Sequence, residues 1–142
     1  MRVITFIIIH YSAVRPWQQS SVQDIDIDCW HRARGWKNGC GYHYVVRRNG
    51  TVETGRPLEM IGSYCQNHNR HSIGICYEGG LDVAGHPADT RTEAQKIALR
   101  HLLEQLHRQY PKAIIAGHNV LNPMKVCPCF NAMKEYRNLQ PK

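Results

Sequence analysis

Long apolar runs are missing from this chain. Nothing approaches the roughly 18–20 consecutive apolar residues that a membrane-spanning helix needs. The strongest run, Val3 to Ile9, has strand length and ends at His10. It also makes a poor secretory leader, since it is at the short limit for one and no clear small-x-small cleavage site follows it. Acidic residues are scarce, 11 against 18 Lys and Arg, which leaves a formal net charge of +7. A basic balance calls for an anionic partner: nucleic acid, an acidic membrane or an anionic wall polymer. There is no polybasic tail and no single basic helix; Arg47-Arg48 is a pair within otherwise scattered charge, so nucleic acid is not the expected partner. No Pro/Gly/Ser-rich linker or repeat divides the 142 residues, and one domain over 1–142 is expected. The six cysteines are even in number, yet a chain of this length folds without staples, and reduced thiols are expected.

The stretch with the most chemistry follows the apolar run 113–116. It holds His118, then Lys125, Cys127 and Cys129. An imidazole at a strand end and a thiolate nine positions on form a soft nitrogen-and-sulfur set suited to zinc. A catalytic zinc usually takes three protein ligands and keeps one position for water. The third donor is His10, which closes a run that reads as a strand buried on both faces. Cys129 leaves a second arrangement open: with Cys127 it would complete a closed His2Cys2 site, in which zinc is structural. Pro128 between the thiols favours the open site.

Residues 23–34 read as a helix ended by Gly35, with Asp24, Asp26 and Asp28 placed to favour its positive N-terminal end rather than to bind calcium. Two β-rich runs flank Asn49-Gly50, the signature of a hairpin with a two-residue type I′ turn. Alternation then puts Tyr42, Tyr44 and Val46 on one face and His43, Val45 and Arg47 on the other. Residues 57–70 form a loop able to line a groove, and 71–77 a strand in which Gly74 suggests close approach by another backbone. Overlapping capping boxes at Thr90 and Thr92 start a helix whose stripe is Leu99, Leu102, Leu103, Leu106 and Tyr110, with His101 and His107 off the stripe as solvated surface. Residues 113–116 form the last strand and 131–138 a short helix. The result is an α/β fold with a central mixed β-sheet flanked by helices, the first and last strands both central and adjacent.

The chain resembles the zinc amidases of the N-acetylmuramoyl-L-alanine amidase type 2 family, to which the peptidoglycan recognition proteins also belong. The resemblance rests on Ile9-His10-Tyr11-Ser12-Ala13, Trp30-His31, Gly35-Trp36, Gly41-Tyr42-His43-Tyr44, Arg48-Asn49-Gly50-Thr51-Val52, Gly55-Arg56 and Gly62-Ser63. It continues through Asn69, Ser72-Ile73-Gly74-Ile75, Gly79-Gly80, Gln95, Gly117-His118 and Lys125-Val126-Cys127-Pro128.

The resemblance implies one zinc ion per chain on His10, His118 and Cys127, with Tyr42 and Lys125 as catalytic partners. It implies a hydrolase that cuts the amide between N-acetylmuramic acid and L-alanine of peptidoglycan, in the manner of a phage or prophage endolysin. Tyr42 would orient the attacking water, and Lys125 would face the developing oxyanion. Asn69 and Ser72 are candidate substrate contacts, with peptidoglycan or muropeptides as partner. His31 and His43 match family positions as packed or supporting imidazoles. Tyr64 stands where many members carry histidine. The alternatives are a non-catalytic peptidoglycan-binding module and an amidase that recycles wall fragments. Synthesis in the bacterial cytoplasm without a signal peptide, followed by action on the wall, is the expected itinerary.

Overall fold

The computed structural model describes residues 2–25, 41–65 and 67–141. Residues 22–25 are helical, but the rest of the helix expected over 23–34 lies outside the described residues, as do Trp30-His31, Gly35-Trp36, Cys29 and Cys40. Among the described residues, five strands form one mixed sheet: β1 (Phe6–Tyr11), β2 (Tyr44–Val46), β3 (Val52–Thr54), β4 (Ser72–Tyr77) and β5 (Ile114–Gly117). Their order is β3-β2-β4-β1-β5. β1 runs parallel to both β4 and β5, β2 runs parallel to β4, and the β2–β3 hairpin supplies the antiparallel pair. An α/β fold with a central mixed sheet is therefore what the chain adopts. No helix among the described residues is long and apolar enough to cross a membrane.

The register sorts the sheet into two faces. Ile7, Ile9, Ile73, Ile75, Val46 and Ile115 alternate onto one face, where they form the main core with the long helix α1 (Glu93–Gln109). Leu99, Leu102, Leu103 and Leu106 are the buried stripe of α1, as its 3.6-residue periodicity requires. Of the two capping boxes, the one at Thr92 is used. Its side chain accepts from the Gln95 N–H, while Gln95 Oε1 accepts from the Thr92 N–H. The buried Gln95 amide also donates to the carbonyls of Val46 and Glu78, so the cap fastens α1 to the ends of β2 and β4. His101 is exposed as expected, whereas His107 is half-buried and its Nδ1 has no hydrogen-bond partner among the described residues.

Several local expectations change. The hairpin forms, but Gly50 N–H bonds to Arg47 O while Arg47 N–H bonds to Thr51 O, and only Gly50, at φ 90°, is left-handed. That is a three-residue loop closed by a glycine bulge, not a type I′ turn, which needs positive φ at Asn49 as well. β1 and β5 are adjacent, but β5 is the sheet edge. Its apolar character comes from burial on both faces, and its exposed ladder groups are taken by the Gln140 amide, which accepts from Ile115 N–H and donates to Ile115 O. Tyr42 precedes β2 in irregular backbone and packs with Val45 and Cys76, on the face opposite Tyr44 and Val46. Gly74 is approached by the ring of Tyr64 rather than by backbone, at 2.4 Å from where a Cβ would stand. The C-terminal expectation resolves into a short helix α2 (His118–Leu121), a short helix α3 (Ala132–Glu135) and a 3-10 turn (Arg137–Leu139).

Candidate metal centre

The second face of the sheet carries the chemistry. Parallel pairing of β1 with β5 ends at Ile9 opposite Gly117, so the next residues, His10 and His118, are neighbours at the carboxyl ends of their strands. Their ring centroids lie 4.5 Å apart. Cys127 arrives from the loop after α2, and the donor atoms of His10, His118 and Cys127 all lie within 4.8 Å of one another. The two histidines and the cysteine singled out in the sequence are thus brought together. Cys129 is not part of that set, which leaves three protein donors among the described residues.

The loop that carries Cys127 is held on several sides. Asn119 N–H donates to the Cys127 carbonyl at 2.8 Å, and the buried Tyr77 hydroxyl donates to the Pro128 carbonyl at 2.7 Å. The Arg91 guanidinium stacks 3.4 Å over the Phe130 ring, itself fixed by Asp89 and Glu135. Tyr11 N–H points at the Cys127 sulfur at 3.1 Å, a contact that favours a thiolate.

The electrostatics of the three donors suit a cation. His10 is only 2% exposed, and its Nε2 is buried without a hydrogen-bond partner among the described residues. Burial, then the charge of His118, pushes the His10 imidazole well below its usual range. Burial, Lys125 and His68 lower His118 in turn. Burial pushes the Cys127 thiol up to about 12, against the pull of the Tyr11 N–H. Two neutral imidazoles with lone pairs to give and a thiol that ionises only beside positive charge are what a metal replaces protons on. Two imidazole nitrogens and one sulfur gathered within 4.8 Å of one another are the donor types that zinc takes in open sites. The residues present therefore fit a zinc ion.

Around this centre the aromatic residues form a wall. Tyr42 lies edge-on to His10, with centroids 5.2 Å apart. Tyr64 does the same at 5.3 Å and stacks nearly flat on Tyr42, at 5.8 Å and 12°. In the sequence Tyr64 stands out only as a departure from the family; the signal for its place is the pair Gly62 and Gly74, whose missing side chains make room for its ring. Lys125 is exposed on the ligand loop, and its charge reaches His118. Ser72 and Asn69 have inward duties. Ser72 is fully buried, donating to the His68 carbonyl and bonding the Tyr64 hydroxyl. The Asn69 side chain accepts from the Tyr64 and Cys65 N–H groups. His43 accepts from Gly74 N–H through Nδ1, so its proton sits on Nε2 and is donated to the Met60 carbonyl; it is a neutral, structural imidazole.

The comparisons with known proteins agree with this geometry. The N-acetylmuramoyl-L-alanine amidase family pattern matches residues 1–130. The endolysin of Klebsiella phage KP32 is 40% identical over 125 residues, covering 88% of this chain and 80% of the relative. The endolysin of Escherichia phage T7 is 39% identical over the same length and shares. The structure of the N-acetylmuramoyl-L-alanine amidase LysC from Clostridium intestinale URNW superposes with a TM-score of 0.78 at 27% identity, covering 99% of this chain and 88% of that one.

Proposed function

Because the chain belongs to the N-acetylmuramoyl-L-alanine amidase family, we propose that it is a peptidoglycan amidase of endolysin type with one zinc ion on His10, His118 and Cys127. The bond cut is the amide between the lactyl group of N-acetylmuramic acid and the L-alanine of the stem peptide. One observation carries the assignment of the centre: three donors from distant parts of the chain converge within 4.8 Å, and no fourth joins them among the described residues.

The ion, when bound, supplies Lewis acidity, activating water near neutral pH and polarising the scissile carbonyl. The rest is the work of the chain. Tyr11 N–H steadies the Cys127 sulfur as a thiolate. Tyr42, held between His10 and Tyr64, presents its phenol to the attacking water and orients it. Lys125, on the loop two residues before Cys127, brings its ammonium toward the carbonyl oxygen as negative charge develops there. The aromatic wall excludes bulk water from one side of the centre, which strengthens each of these interactions. Synthesis in the cytoplasm, with later access to the wall, completes the reading.

The test is direct. The purified chain is incubated with muropeptides and the release of free stem peptide is followed, before and after chelation and in Cys127→Ser. Release that needs zinc and Cys127 supports the proposal; release that persists without either overturns it.

A further inference from the structure

We infer a second, weaker site for a borderline divalent ion of the zinc, nickel or copper type, formed by His68 and His71 and separate from the His10–His118–Cys127 centre. His71 ends the 3-10 turn Asn69–His71 and His68 is its N-cap. A 3-10 turn has three residues per revolution, so positions i and i+3 eclipse. The two imidazoles therefore rise from the same edge, with His68 Nδ1 3.3 Å from His71 Nε2.

That spacing is the bite of a tetrahedral ion: two imidazole nitrogens at 2.0–2.1 Å from one zinc lie about 3.3–3.4 Å apart. Ring direction carries further information. Two imidazoles on one tetrahedral ion place their centroids about 5.2 Å apart, whereas rings aimed straight along a hydrogen bond of this length place them about 5.6 Å apart. The observed separation, 5.4 Å, lies between the two, so modest rotation of the rings converts one arrangement to the other. In the metal-free chain the two rings share one N–H. On binding, that proton moves to the outer nitrogen of the same ring and both inner lone pairs turn to the ion, so no net charge is lost from the protein.

The backbone beneath the pair is built to stay in place. Arg2 donates to the carbonyls of Asn69, Arg70 and Ser72, Ser72 Oγ donates to the His68 carbonyl, and His68 N–H bonds to Cys65 O. The Phe6 ring packs against both imidazoles, at 6.0 and 5.9 Å. Phe6 pairs with Ser72 at the start of β1 while His10 lies four positions on, roughly 13 Å along the strand. The two centres thus use different donors on one sheet face, close enough for the charge of His68 to be felt at His118. Both rings are only half-buried, so water completes the coordination and the ion exchanges readily.

Equilibrium dialysis of the whole chain against zinc should find one tight and one weaker equivalent. His68→Ala, His71→Ala and the double variant should each lose the weaker one and keep the tight one. Cobalt substitution separates this inference from the zinc assignment, because only the Cys127 centre gives a thiolate-to-cobalt charge-transfer band, and that band should be unchanged in the three variants. Independently of any variant, trace nickel added to the zinc-loaded wild-type chain should broaden the ring resonances of His68 and His71 before those of other histidines. A single equivalent in the wild type, a second equivalent that survives the double variant, or first broadening elsewhere would overturn the site.

Discussion

Tyr64 stacks on Tyr42 at 5.8 Å with only 12° between their ring planes, and it reaches this position because Gly62 and Gly74 leave no side chain in its way. Its hydroxyl is tied to Ser72 Oγ at 2.8 Å, so the ring is held at both ends. The ring and the hydroxyl make separable contributions. Tyr64→Phe loses one hydrogen bond and leaves Ser72 still bonded to the His68 carbonyl, at a cost of about 1 kcal/mol. Tyr64→Ala leaves a void beside His10 and Tyr42, destabilises by about 3 kcal/mol and lowers kcat on the order of 10- to 100-fold through misplaced Tyr42. Thermal unfolding and muropeptide kinetics check both. Wild-type kcat in a folded Tyr64→Ala variant would show that Tyr42 needs no such support.

Glu78 sets an acid limit on stability. Burial raises its carboxyl, but the Arg47 ion pair and the N–H groups of Arg48 and Ser20 outweigh that and hold it below the ordinary value near 4.5. Glu135, bonded by Arg91, is lowered as well, mainly by that hydrogen bond. A carboxyl depressed in the folded state contributes stability that is fully present above its unfolded value and is lost as pH falls through the folded one. The melting temperature is therefore expected to hold from neutral pH to about 5 and to fall below that. Glu78→Gln should melt lower at neutral pH and show a shallower acid decline. An acid decline in that variant as steep as in wild type would remove Glu78 from the account.

Much of this centre was legible in the sequence because its two histidines each close a strongly apolar run. Buried parallel strands lie side by side, and ligands gather at their carboxyl ends, so His10 beside His118 followed from run length and polarity. What was not legible depended on contacts between distant segments. Ser72 reads as a polar strand residue free to meet a ligand, yet its hydroxyl is occupied from both sides, by Tyr64 and by the His68 carbonyl. Tyr42 was assigned a face by alternation, but alternation holds only within a strand, and β2 begins at Tyr44. The edge position of β5 was hidden because burial on both faces makes an edge strand look like a central one, and the device that seals it, Gln140, lies 25 positions from Ile115.

The ligand loop offers a prediction about metal affinity apart from chemistry. Tyr77 is fully buried in the main core and its hydroxyl donates to the Pro128 carbonyl, next to Cys127. Tyr77→Phe keeps the ring and removes that anchor. Groups that orient ligands from behind typically matter by 10- to 100-fold in metal affinity, and a zinc affinity weaker by about ten-fold is expected with an intact fold. Competition with a chelator of known affinity measures it. Unchanged affinity would mean that Asn119 and the Arg91–Phe130 stack hold the loop without Tyr77.

Lys125 distinguishes a charge that serves the reaction from one that merely sits near it. It is exposed on a loop and its backbone N–H only closes a turn onto Asn122 O, so Lys125→Met should leave the melting temperature within about 0.5 kcal/mol equivalent of wild type. Zinc content should also be unchanged, because the lysine is no ligand, and removing its charge relieves one of the influences that lower His118. What should change is the rate. An ammonium facing a developing oxyanion acts mainly in the transition state, so kcat should fall on the order of 100-fold while KM moves little. A variant in which KM rises and kcat is retained would place Lys125 in substrate binding instead. A variant with full zinc and full activity would make it ordinary surface charge.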